Sequence, residues 1–176
     1  DLFPRVFVMD LRPQAHDIIR TWLFSTVLRA HYLHGSLPWK HAAISGFIFD
    51  PDRKKMSKSK GNVVTPQALL DEHGSDGVRY WASRARPGSD AVFHPGQMKV
   101  GRRLATKILN ASRFALLQAE PRSEVLHPLD RAMLQHLVDL VRFATEQLEA
   151  YDYAIVIERV EKSFWGFCDD YIELVK

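Results

Sequence analysis

Cysteine is all but missing from this sequence: Cys168 stands alone, which excludes an internal disulfide and any metal site built from several thiolates. A reducing cytoplasm is the compartment this usage fits. Also missing is an uninterrupted apolar run of about 18 residues, the least a membrane-crossing helix needs. The opening Asp1-Leu2-Phe3-Pro4-Arg5 lacks the basic head and apolar stretch of a secretory leader, so no membrane partner is expected. There is no internal repeat and no low-complexity segment. Nor does one sign of charge dominate: 24 Lys+Arg against 21 Asp+Glu leave +3, too little by itself to argue for nucleic acid.

What is present is the composition of an ordinary globular protein. The 176 residues are 46% hydrophobic and 26% charged, enough for one sizeable core or two small ones. The charge is uneven: bases crowd between Arg53 and Lys60 and again between Lys99 and Arg113, while acids dominate from Glu146 to Glu173.

Two periodicities divide the chain. Residues 5–10 read as a short strand ending at Leu11-Arg12-Pro13, because proline biases its predecessor away from helical angles. A helix is expected next, with Ile19, Trp22, Leu23 and Val27 on one face, Asp17 near its start, Gly35 and Pro38 at its end, and Trp22 in the core. Residues 41–50 read as a second, buried strand bounded by the turn-forming Asp50-Pro51-Asp52, with Gly46 a point of close packing. Thr65-Pro66 opens a helix, and Gly74 and Gly77 punctuate a second short one. Arg86-Pro87-Gly88-Ser89-Asp90 is the expected junction.

Beyond it the repeat is helical. Val100, Leu104, Ile108, Ala111 and Phe114 form one stripe; Leu129, Met133, Leu137, Leu140, Ala144 and Leu148 a second; Tyr153, Ile157, Val160, Phe164, Phe167 and Tyr171 a third. Pro121 and Pro128 separate the first two. No stop signal follows the third stripe, so a helical bundle that is cut short is expected.

The most informative stretch is Lys54-Lys55-Met56-Ser57-Lys58-Ser59-Lys60-Gly61-Asn62, just after the second strand. Lysines supply mobile point charges, and small hydroxyl residues and backbone N–H groups bind phosphate oxygens without bulk. Gly61 permits a positive φ or close backbone approach. Such a loop suits a polyphosphate, although a generic basic run of this kind is more often a solvated loop.

The spelling Lys55-Met56-Ser57-Lys58-Ser59 is identical to the KMSKS signature of class I aminoacyl-tRNA synthetases, and Lys60-Gly61-Asn62-Val63-Val64 follows in that family's style. Met9-Asp10-Leu11-Arg12-Pro13-Gln14-Ala15-His16-Asp17-Ile18-Ile19-Arg20-Thr21-Trp22 resembles the segment after the editing insertion in the valine members. The resemblance implies an α/β plus all-α protein. Residues 1–90 would be the C-terminal part of a Rossmann-type catalytic domain with its signature loop. Residues 91–176 would be a truncated antiparallel helical bundle that binds the anticodon.

It further implies that ATP, with Mg2+, meets the loop Lys55, Met56, Ser57, Lys58 and Ser59. Lys55 and Lys58 would stabilise the triphosphate and departing pyrophosphate, and Met56 would pack near adenine. Asp17 is implied for the ribose, at a place where the family has Gly-x-Asp and this chain has Ala15-His16-Asp17. Gln14 and His16 are candidates for the same pocket. Ser45-Gly46 stands where relatives have His-Gly, and is read as strand rather than site.

Implied partners are valine, ATP and tRNA(Val), in a monomeric full-length cytoplasmic enzyme that adenylates valine and transfers it to tRNA. Isoleucine and leucine enzymes share the signature loop and remain alternatives. The sequence contains no His-x-Gly-His motif and no editing domain, so this stretch alone is not expected to charge tRNA.

Lys99, Arg102, Arg103, Lys107 and Arg113 lie along one helix whose Gly101–Phe114 stretch resembles the opening helix of the anticodon-binding domain. Such a face can meet the phosphates of an RNA stem, or be solvated. Phe164–Glu173 also resembles a bundle helix of these ligases, but its acids suit it poorly to phosphate. Two further readings stay open: a helical RNA-binding module, or another nucleotidyl-transfer enzyme. The latter would need metal-binding acids beside the loop, and no such cluster is found.

Overall fold

The computed structural model describes residues 2–118 and 124–175, which fall into two compact units: Asp1–Val63 with Arg86–Phe93, and Val64–Ala85 with His94–Lys176. Pro121, expected between two helices, lies outside the described residues. The architecture is mixed, with helices predominating over two small parallel sheets. No helix among the described residues is long and apolar enough to cross a membrane.

In the first unit a single helical turn, α1 (Phe3–Val6), precedes β1 (Met9–Ala15). The strand therefore begins later than expected and runs straight through Pro13. The preference of Arg12 for extended angles, read from the sequence as a stop, instead sustains the strand. Among the described residues β1 has one hydrogen-bonded neighbour, and an edge strand tolerates a residue with no N–H to give.

That neighbour is β2 (Trp39–Ser45), paired in parallel from Met9↔Trp39 to Ala15↔Ser45. Parallel strands need a crossover, and here it is helical: a 3-10 turn (His16–Ile18), a wide π turn (Ile19–Leu23) and α2 (Phe24–His34). Gly35 ends α2 at φ 66°, donating its N–H to the His31 carbonyl. Trp22 is 40% exposed rather than core; Arg12 sits over its ring at 4.0 Å, and the ring lies nearly parallel to that of Trp39 with centroids 5.9 Å apart.

The single buried strand expected over residues 41–50 is instead two pieces. The chain leaves β2 after Ser45 and pairs again as β3 (Ile48–Phe49), in parallel with β4 (Ala91–Val92). At the switch a Cβ on Gly46 would collide with the Ser89 carbonyl, so only glycine admits the returning segment. The Phe47 N–H donates to Asp90 Oδ1 (2.7 Å) and the Gly88 N–H to the Ile44 carbonyl (2.8 Å). Lys40, His41 and Ala42 of β2 are exposed; successive residues of a strand point to opposite faces, so this stretch is open to solvent on both, and among the described residues β2 has one hydrogen-bonded neighbour.

The second unit opens with α3 (Pro66–Ser83), Pro66 in its first turn. The two short helices expected here form one helix kinked at Gly74, whose φ of 74° and ψ of 165° break the helical path. Next come α4 (Pro95–Gln118), α5 (Pro128–Glu149) and α6 (Tyr153–Gly166), which passes through a π turn (Phe167–Tyr171) into α7 (Ile172–Val175). All three apolar stripes therefore lie on helices.

Glycines bring α3 and α4 close: a Cβ on Gly77 would lie 2.7 Å from the Met98 carbonyl oxygen, and Met98 is completely buried. Across to α6, the Tyr80 hydroxyl donates to Glu161 (2.7 Å) while Arg84 donates to the same hydroxyl (2.9 Å). The stripes are incompletely covered: Leu140 is buried, but Leu137 and Leu148 are about half exposed.

Candidate active site

The basic loop is built on a tight reversal. After β3 the Arg53 N–H donates to the Asp50 carbonyl and the Asp50 N–H to the Lys54 carbonyl, both at 2.9 Å. Arg53 occupies the left-handed region at φ 60°, where a glycine more often sits. The turn delivers Lys55 opposite Phe49 in an isolated antiparallel bridge.

The Asp50 side chain, buried at 8% exposure, accepts the Lys54 N–H on Oδ1 (2.7 Å) and the Asn62 carboxamide on Oδ2 (2.8 Å). The Asn62 hydrogen bond first, and the Lys54 N–H second, hold this carboxyl below the ordinary carboxylate range despite burial. Asn62 in turn accepts the Ser57 N–H (2.9 Å) and reaches the Lys55 carbonyl (3.4 Å). Between these ties Lys58–Lys60 form a 3-10 turn closed by Gly61 at φ 66°.

The base of the loop is thus pinned while its charges face outward. Lys55, Lys58, Ser59 and Lys60 are exposed, and Met56 and Ser57 are half-buried. The Ser57 and Ser59 hydroxyls lie 3.2 Å apart. Lys55 Nζ sits 4.0 Å over the Phe47 ring, and the His16 ring meets Phe47 edge-on at 4.2 Å. His16 and Lys55, from opposite ends of the unit's sequence, therefore flank one aromatic side chain.

His16 Nδ1 lies 3.2 Å from the Ser45 carbonyl, so it donates when it carries the proton. Gln14 is buried at the end of β1, and its Oε1 has no hydrogen-bond partner among the described residues. Asp17 is exposed on the following turn, and no hydrogen bond or ion pair joins it to the loop among the described residues. The structure thus brings together His16 and Lys55, and leaves Lys58 and Asp17 facing solvent.

Sequence reasoning passed over Phe47, Asp50 and Asn62. Phe47 reads as one more strand residue and Asp50 as a turn former. Asn62 stands in the quoted flank of the signature, but nothing local says that its amide bridges residues 50, 55 and 57.

In the second unit Lys99, Arg102, Arg103, Lys107 and Arg113 are all exposed on α4. At 3.6 residues per turn they occupy an arc of roughly 140°. Arg102 donates to the Glu72 carbonyl (3.2 Å), and Lys107 Nζ lies 5.4 Å from the Trp165 ring of α6. Lys99, Arg103 and Arg113 have no ion pair among the described residues.

Among known families, the one described as tRNA synthetases class I (I, L, M and V) matches residues 2–94, more than half of the chain and all of the pinned loop. The chain belongs to this family. The anticodon-binding domain of tRNA ligases matches residues 130–176 of the same class I synthetase chain. It is 60% identical over 182 residues to the valine–tRNA ligase of Thermobifida fusca (strain YX), covering all of this chain and 20% of that protein. Identity to the valine–tRNA ligase of Salinispora arenicola (strain CNS-205) is 61% over 183 residues, again across this whole chain and 21% of the relative. The chain therefore spans about a fifth of the length of the curated relatives it matches.

Among solved structures, Mycobacterium tuberculosis methionyl-tRNA synthetase in complex with methionyl-adenylate matches with a TM-score of 0.73 at 25% identity, covering 99% of this chain and 36% of that one. The LeuRS–tRNA–LeuAMS ternary complex from Agrobacterium radiobacter K84 gives the same TM-score, 0.73, at 18% identity, with 90% and 23% covered, and so speaks to the fold of a class I synthetase only.

Proposed function

We propose that this chain is the signature-loop and helical portion of a valine–tRNA ligase, an enzyme that joins valine to tRNA(Val) at the expense of ATP. The observation that carries the reading is the 60% identity to a valine–tRNA ligase along the whole chain, the signature loop included. In this reading residues 1–90 complete a Rossmann-type catalytic domain, and residues 91–176 begin an antiparallel bundle that contacts tRNA.

In the first half-reaction a valine carboxylate oxygen attacks the α-phosphorus of ATP. The bond to the β-phosphate bridging oxygen breaks, and pyrophosphate leaves with the electron pair. The protein contributes no covalent bond. Lys55 and Lys58, extended from a pinned base, stabilise the charge that grows on the leaving group. Ser57, Ser59 and Met56 line the nucleotide's path along the loop, and Asp17 accepts from the ribose hydroxyls, with Gln14 and His16 at the same strand end. A hydroxyl of the terminal tRNA ribose then attacks the adenylate carbonyl and AMP leaves.

Mg2+ accompanies ATP in this family, but the residues here do not form a site for it. The described residues hold no group of three His, Cys, Asp or Glu that could bind a metal, and Asp50 commits both oxygens to N–H donors. No step is therefore assigned to a metal held by this chain. In the bundle, Lys99, Arg102, Arg103, Lys107 and Arg113 offer an RNA stem a basic face. The full-length enzyme is taken as a cytoplasmic monomer.

The test is amino-acid-dependent pyrophosphate exchange by the full-length protein, with valine, isoleucine and leucine assayed separately. Exchange with valine, falling roughly a hundredfold or more in Lys58→Ala with little change in ATP affinity, is the expected result. Exchange with isoleucine or leucine would move the assignment to that ligase. Exchange with valine that survives Lys58→Ala would remove the lysine from the chemistry.

A further inference from the structure

The feature that the reaction just described leaves unused is the side-chain tie beneath the loop. We infer that Asn62 is a positioning residue, which with Asp50 fixes the backbone that carries Lys55 and Lys58 so that both ammonium groups start from a set base. This inference rests on the functional reading above.

The geometry is specific to an amide. Asn62 Oδ1 accepts the Ser57 N–H at 2.9 Å, one residue before Lys58. Its Nδ2 donates to Asp50 Oδ2 at 2.8 Å and, at 3.4 Å, to the carbonyl of Lys55 itself. One side chain thus references the carbonyl of Lys55 and the N–H of Ser57, the residue before Lys58, to a buried carboxylate. Asp50 is held in turn by the Lys54 N–H (2.7 Å) and by the backbone reversal that ties it to Lys54 and Arg53. Only a group that both donates and accepts can do this: leucine at 62 would abandon all three partners, and a carboxylate there would face Asp50 without a proton between them.

The energetic consequence falls on the rate. Lys55 and Lys58 keep their charge and exposure without the tie, so ATP can still attract them. Their ordering, however, must then be completed on the way to the transition state, and small misplacements of catalytic charge are costly. Asn62→Ala is expected to lower kcat for valine-dependent exchange roughly 10- to 100-fold while the ATP KM moves less than about threefold. Because Asn62 acts through the lysines, adding Asn62→Ala to Lys58→Ala should cost much less than it does in the wild type.

A swap keeps the test independent of folding losses. Asn62→Asp alone sets two carboxylates face to face. In the Asp50→Asn/Asn62→Asp double variant, the amide at position 50 can accept the Lys54 N–H and donate to the carboxylate at 62, which can still accept the Ser57 N–H. Only the long contact to Lys55 is lost. The experiment is steady-state exchange by the full-length wild type, Lys58→Ala, Asn62→Ala, Asn62→Asp, the double swap, and Asn62→Ala/Lys58→Ala.

A kcat loss in Asn62→Asp that the swap largely restores, with non-additivity against Lys58→Ala, supports the inference. Unchanged kcat in Asn62→Ala and Asn62→Asp beside a Lys58-dependent wild type overturns it. So does a swap no better than Asn62→Asp, or full additivity with Lys58→Ala. A wild type that shows no valine-dependent exchange overturns the functional reading, and this inference with it.

Discussion

The ring of Tyr80 on α3 lies directly against Gly101 on α4: a Cβ added to Gly101 would come within 2.7 Å of the tyrosine's Cγ. Neither helix can approach the other this closely with any other residue at 101. Gly101→Ala should therefore destabilise the helical unit by about 1–3 kcal/mol through overpacking. Gly35→Ala makes the contrast, since nothing lies within 4 Å of that glycine and only its φ of 66° resists a side chain. About 1 kcal/mol is expected there. Urea unfolding followed by far-UV circular dichroism checks both values.

Two phenols of the helical unit, those of Tyr80 and Tyr171, should resist ionisation. Burial first, then the Glu161 hydrogen bond, raises Tyr80 above the ordinary 10.0; the hydrogen bond to Asp130 first, then burial, does the same for Tyr171. The folded state thus holds these protons after the unfolded chain has released them. Their contribution to stability is complete below about pH 10 and is lost as pH rises through the folded values. Stability of the wild type should fall more steeply above pH 10 than that of Tyr80→Phe/Tyr171→Phe. Phenolate absorbance of the two should appear late in an alkaline titration of the folded chain.

Asp50 provides the opposite sign. The Asn62 amide and the Lys54 N–H depress its pKa, so the ionised carboxylate favours the folded loop above the unfolded value, and that contribution disappears as pH falls through the folded one. The Asp50 carboxyl carbon should titrate by NMR below the range of an unstructured aspartate. In Asn62→Ala, which removes the leading cause, its midpoint should move upward.

The basic face of α4 predicts a salt dependence. Arg103 and Arg113 have no ion pair among the described residues, so replacing either by Ala should remove a phosphate contact without breaking an internal one. Each should lower the log–log salt slope of tRNA binding by the full-length protein by about 0.7–1 unit. Lys107→Ala should have a smaller effect, because Trp165 already holds that ammonium at 5.4 Å. Filter binding across a salt series measures all three.

The helices were legible because a buried face repeats every 3.6 residues and proline or glycine marks its ends: Pro66, Pro95 and Pro128 each stand at a helix start, and Gly35 at a helix end. Strand limits were less so. Arg5 and Val6, read as the start of a strand, belong instead to a helical turn, and Pro13 sits inside β1 because nothing local states that this strand has only one neighbour among the described residues. The break at Gly46 depends on Ser89, and the seat of Lys55 on Phe47 depends on a chain reversal eight residues long. Both are tertiary contacts, one across 43 residues and one across a reversal, and neither periodicity nor local propensity encodes which side chains meet. The signature loop was conspicuous through its lysines, while the residues that hold it, Asp50 and Asn62, were ordinary polar side chains at turn-like positions.

The pairing of β3 with β4 sets an order of assembly. Ile48 and Phe49 cannot find Ala91 and Val92 until the intervening chain, α3 included, has been synthesised, whereas the Asp50–Asn62 tie joins residues made almost together. Loop closure over the shorter span is the faster event. On a growing polypeptide the lysine loop would therefore acquire its shape before the sheet beside it is complete, so a nick within residues 64–85 of the nascent chain should leave the loop's local hydrogen bonds intact while delaying the second ladder.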